Sequence, residues 1–189
     1  MKLKPLIAGA VMAIATPLAM AEGSGLYVAL DVGQSKFKDL CSGFTGGSCK
    51  DTDTAFRGAL GYQINKYVGV EGGYVDAGKS TATSPGFSGE AKLTDWQLVG
   101  VGTLPLGDGR FSLFAKAGAD RWSSKITANG AAFASGSGTS FLWGAGAEFD
   151  FTKSLGVRAQ YETRKAGDIN KPEGLGNVSM LSAGVVYRF

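Results

Sequence analysis

The chain of 189 residues contains no histidine. That absence removes the usual catalytic base at neutral pH and the commonest metal ligand. Cysteine occurs twice, at Cys41 and Cys49, and a metal site needs more ligands than two thiols. No excess of one charge is present: 19 basic against 16 acidic residues give +3, with nothing that points to nucleic acid. Beyond the first 21 residues no apolar run reaches the roughly 20 residues that a spanning helix requires. Catalysis of the histidine-dependent kind is therefore disfavoured, and Ser123, Ser124 and Lys125 read more simply as solvated surface than as a Ser-Lys pair.

Glycine and aromatic residues are plentiful, with 30 glycines and 11% Phe, Trp and Tyr. This composition suits many short strands joined by tight turns. The first residues read as an export leader. Lys2 and Lys4 are basic, Leu6 to Leu18 is largely apolar, and Ala19-Met20-Ala21 is a small-x-small cleavage site. Residues 1–21 are thus expected to be a signal peptide, and residues 22–189, starting at Glu22, a single mature domain. The leader takes two lysines with it, so the mature net charge is +1.

The last stretch, Val178 to Phe189, alternates strictly. Leu181, Ala183, Val185, Tyr187 and Phe189 share one face, and Met180, Ser182, Gly184, Val186 and Arg188 the other. Seven earlier segments follow the same rule. Their outward faces carry Leu30, Phe56, Tyr62, Val70, Tyr74, Trp96, Leu98, Leu113, Phe141, Trp143, Phe149, Val157 and Tyr161. Their inward faces carry Asp31, Arg57, Glu71, Lys116, Glu148 and Arg158. Short connections at Asn65-Lys66, Pro105 to Arg110 and Thr152 to Ser154 alternate with four long polar ones. These are Ser35 to Thr54, Lys79 to Lys92, Asn129 to Gly138 and Ala166 to Asn177. The pattern predicts an all-β fold, an eight-stranded antiparallel transmembrane β-barrel. In an oxidising compartment Cys41 and Cys49, both in the first long connection, are expected to form a disulfide.

Three segments carry a family resemblance: GYQINKYVGVEGGY (Gly61 to Tyr74), FLWGAGAEFDFT (Phe141 to Thr152) with Arg158, and NVSMLSAGVVYRF at the end. They resemble the transmembrane domain of the outer membrane protein A family. The resemblance implies a location in the bacterial outer membrane and contact with its lipid and lipopolysaccharide. It also implies insertion by the barrel-assembly machinery, with Tyr187 and Phe189 as the closing-strand signal. A second, peptidoglycan-binding domain is expected to be missing, since the chain ends at Phe189. The resemblance further marks Glu71, Lys116, Glu148 and Arg158 as interior charges, while Val101 stands where the family has a gating lysine. These four are expected to touch as one network that Asp31 and Arg57 extend, because unpaired buried charges are costly.

Two roles follow. One is a structural, surface-interaction protein, a monomer whose loops meet lipopolysaccharide, host surfaces or phage. The other is a narrow gated channel for ions or small solutes. No cofactor and no enzymatic activity are expected.

Overall fold

The computed structural model describes residues 25–38, 40–41, 45–167 and 175–189. The expected leader, residues 1–21, and the expected mature start at Glu22 lie outside the described residues, as do residues 168–174 of the last connection.

Eight long strands form one antiparallel ring. They are β1 (Gly25–Phe37), β3 (Thr52–Asn65), β4 (Val68–Ser84), β5 (Phe87–Leu106), β6 (Phe111–Ala128), β7 (Ala131–Asp150), β8 (Leu155–Ala166) and β9 (Gly176–Arg188). A three-residue strand, β2 (Ser48–Lys50), pairs with the far end of β4. Each long strand hydrogen-bonds to its neighbours, and β1 closes the ring against β9, from Tyr27 opposite Arg188 to Phe37 opposite Val178. Closure leaves no sheet edge within the ring, which is the condition for crossing lipid with strands.

Side chains sort by parity. Trp96, Leu98 and Leu181 are 67%, 69% and 64% exposed although strongly apolar, so the outer surface is built for a non-aqueous surrounding. Aromatic rings mark both rims of that surface. One rim has Tyr74 against Trp96 at 5.0 Å and Trp143 against Tyr161 at 6.4 Å. The other has Phe149 against Phe151 at 5.2 Å and Tyr187 against Phe189 at 5.1 Å. From Phe141 to Phe151, at about 3.3 Å per residue and a tilt near 40°, the rise is about 25 Å, the height of a lipid-facing band.

The turns divide by length, and each has a local cause. At the short-turn end, the Asn65 side chain accepts the backbone N–H groups of Tyr67 and Val68, at 2.8 and 3.0 Å. Thr152 does the same for Leu155 at 2.9 Å. At the other end the strands run far beyond the upper aromatic rim. Two stretches expected as polar connections, Lys79 to Lys92 and Asn129 to Gly138, are mostly strand. The first turns at Pro85-Gly86 and the second at Asn129-Gly130, whose φ angles of 50° and 78° are those of a tight hairpin turn. Most residues of these extensions are exposed or only partly buried, and their sequences lack the apolar alternation that marks a half-buried strand. Cys41 and Cys49 are joined by a disulfide between the end of β1 and β2.

Candidate functional site

The lumen is the candidate site, and it is layered. At mid-height lies an ionic layer. Arg158 grips Asp31 through Nε at 2.8 Å and Nη2 at 2.7 Å, and reaches Glu71 through Nη1 at 2.8 Å. Arg57 donates to Asp31 at 3.0 Å, to Glu71, and to the Gln97 side chain at 3.2 Å. The Tyr27 hydroxyl donates a hydrogen bond to Glu71 at 3.2 Å. A second group centres on Glu162, which meets Lys116 at 2.7 Å and Arg164 at 3.1 Å. Arg164 also pairs with Asp95 at 2.6 Å. Gln97 joins the two groups, donating to Glu162 at 3.0 Å while accepting from Arg57. Four cations face four carboxylates, so the layer is charge-balanced, and their side chains are essentially without solvent contact.

Glycines make these pairings possible. Asp31 on β1 and Arg158 on β8 are both register partners of Gly184 on β9. Lys116 on β6 and Glu162 on β8 are both partners of Gly144 on β7. Tyr27 and Glu71 likewise flank Gly61. In each row the missing side chain lets groups two strands apart meet across the strand between them.

Glu148 does not belong to this layer. It is the backbone partner of Arg158, but the guanidinium of Arg158 leans the other way, over Gly184 to Asp31. Glu148 instead pairs with Arg188 at the short-turn mouth, where Arg188 also meets Asp150 at 2.5 Å. Glu71, Arg158, Asp31 and Arg57 therefore form one group, Lys116 reaches them through Glu162, which pairs with Arg57 at 3.8 Å and shares Gln97 with it, and Glu148 stands apart. Glu162, Arg164, Asp95 and Gln97 were the missing members. Gln160, Glu162 and Arg164 share the inward parity of Arg158 on β8, but nothing in the sequence says which partner each takes. Val101 faces the lumen as the register partner of Lys116 and packs with Val99, Phe114 and Leu142.

Beyond the ionic layer, toward the long hairpins, the interior turns apolar. Phe37, Val75, Leu93, Trp122, Leu175 and Met180 form a buried cluster across the lumen. On the opposite side a cavity of about 200 Å3 opens at the short-turn end, past Glu148 and Arg188, and stops at Glu71, Lys116 and Arg158. Among the described residues no group of His, Cys, Asp and Glu could hold a metal ion.

Residues 6–189 match the family described as the outer membrane protein beta-barrel domain. Outer membrane protein A of Shigella flexneri is 31% identical over 134 residues, covering 68% of this chain and 38% of the relative. Its counterpart in Salmonella typhi is 27% identical over 168 residues, covering 86% of this chain and 48% of the relative. The chain thus spans less than half the length of these relatives. The crystal structure of Neisserial surface protein A is similar in fold, with a TM-score of 0.62 at 18% identity, over 89% of this chain and all of that one. The closed ring, the aromatic rims and the matched residues agree: the chain belongs to the outer membrane protein β-barrel family and resides in the bacterial outer membrane.

Proposed function

We propose that this protein is a closed, structural surface-interaction barrel, which anchors in the outer membrane and carries its extended hairpins outside the cell. One observation supports this above others: the lumen is filled twice, by the ionic layer and by the apolar cluster around Phe37, Leu93 and Trp122. Eight strands enclose a space that side chains can just fill. By the family's orientation the short turns face the periplasm and the long hairpins the exterior. The hairpins, stiffened by strand pairing as far as Ser84-Phe87 and Ala128-Ala131, meet lipopolysaccharide, host surfaces or phage. The mature protein starts at Glu22 after cleavage of the leader, is inserted by the barrel-assembly machinery through the ending at Tyr187 and Phe189, and acts without enzymatic chemistry.

A gated channel is the second reading, and the cavity on the periplasmic side favours it, since it is half of a path. The other half requires both the ion pairs and the apolar cluster to part. Solute release from proteoliposomes tests the choice. The closed barrel predicts that vesicles loaded with a small sugar keep it when the folded chain is inserted. Sugar release in proportion to inserted protein would favour the channel.

A further inference from the structure

Above the upper aromatic rim the wall continues as a sheet with two unlike edges. There β2, β4, β5, β6 and β7 pair in that order. The β2 edge is three residues long and is held by the Cys41–Cys49 disulfide. The β7 edge is bare. β7 pairs with β6 from Ala131 onward, but its pairing with β8 begins only at Leu142. Asp150 of β7 donates its backbone N–H toward Arg110, on the β6 side, at 2.8 Å, and this direction alternates along a strand. Ser135, Ser137 and Thr139 therefore turn their N–H and C=O groups away from β6, where no described strand meets them. Natural sheets blunt such edges with charge, proline or a bulge. From Ala134 to Phe141 there is no charged residue and no proline, and the register shift of β7 lies nearer the tip, beside Phe133.

We propose that this edge takes up an extended, acidic segment of a partner protein as an added strand. The segment pairs its backbone with Ser135, Ser137 and Thr139, which gives affinity for any strand, and the choice of sequence comes from β6. Lys125 and Arg121 lie directly across from Ser135 and Thr139 on the outward face, and both are exposed. Neither has a carboxylate partner among the described residues. On its other side Lys125 faces Lys92, and Arg121 faces Trp96, so the side open to an anion is the one across β7. Ser135 and Thr139 are short, and two strand spacings come to about 10 Å, within the joint reach of a basic side chain and a glutamate. The lumen already works this way, with Asp31 and Arg158 meeting across Gly184. Because Lys125 and Arg121 read out through Ser135 and Thr139, the segment carries its acidic residues four apart. A second copy of this chain fits less well: its own bare edge, Ala131 to Phe141, brings no acid to these cations. The proposal rests on the surface-interaction reading above and names the chemistry of one partner.

Fluorescence anisotropy of labelled peptides with the full chain, folded in detergent micelles, tests the edge. The probe alternates threonine and valine, with glutamate replacing two threonines four residues apart. It should bind roughly tenfold more tightly than the same peptide with lysine in place of glutamate, a few-fold for each cross-strand charge pair. Arg121→Ala with Lys125→Ala should erase that difference and leave the peptide without glutamate bound as before. Ser137→Pro removes an N–H from the bare edge and none from the β6 ladder, so it should abolish binding of every peptide. A further comparison on the unaltered chain needs no variant to fold. N-methylation of alternate peptide amides should abolish binding in one phase of the alternation and spare it in the other. Equal binding of the glutamate and lysine peptides would overturn the proposal, as would equal tolerance of both methylation patterns. So would self-association of the chain that Ser137→Pro dissolves and the glutamate peptide leaves intact. The assay touches no residue of the lumen, so its failure would leave the closed barrel standing, and sugar release would condemn the closed barrel without bearing on this edge.

Discussion

Asp31 and Arg158 touch because Gly184, between them, has no side chain. A methyl group there would run into the Leu30 carbonyl oxygen and the Asp31 backbone. Gly184→Ala is expected to cost about 1–3 kcal/mol through this overcrowding, seen as a lower urea midpoint for the folded barrel. Arg158→Ala removes the shared partner of Asp31 and Glu71 and leaves both carboxylates buried, at a cost of about 3–5 kcal/mol. Arg188→Ala should cost about 1 kcal/mol or less, because that side chain is one-third exposed at the mouth. Equal midpoint shifts for Arg158→Ala and Arg188→Ala would mean that the ionic layer gives the interior no special stability. The inward direction of Asp31, Arg57, Glu71, Lys116 and Arg158 was legible from period two alone. Their partners were not. Glu148 and Arg158 oppose each other in register yet bind elsewhere, because side-chain lean and the glycine beside each charge decide the contact.

At the scale of elements, the membrane-crossing parts of the strands were readable, since lipid outside and polar groups inside impose alternation. The hairpin extensions were not. Lys79 to Ser84 and Ala131 to Ser140 have no apolar face to signal a strand, although the Asn129-Gly130 pair was a hairpin mark in plain view. The apolar cluster was equally hidden, because Phe37, Leu93, Trp122 and Leu175 lie in or beside stretches that read as polar. The disulfide belongs to this outer region. Its loop spans a sequence separation of 8, for which restriction of the unfolded chain contributes roughly 2–3 kcal/mol. Among the described contacts it ties the turn after β1 to β2 and leaves the ring's hydrogen bonds to the strands themselves. Reduction should therefore free two alkylatable thiols and leave the gel-mobility difference between boiled and unboiled protein intact. Loss of that difference on reduction would show that the ring depends on the bridge.

For the whole molecule, closure and occlusion are separate properties. The ring closes through backbone pairing of β1 with β9, whereas occlusion depends on side chains: ion pairs at mid-height and apolar packing above them. Removing charge alone should not open the barrel, because the cluster around Leu93 and Trp122 still bars the path. Single-channel recording in planar bilayers tests this most directly. The folded chain should show no steady conductance, and Lys116→Ala with Glu162→Ala should show none either. Adding Leu93→Ala and Trp122→Ala to that pair should produce resolved openings. A large, steady conductance from the unaltered barrel would contradict the occluded lumen.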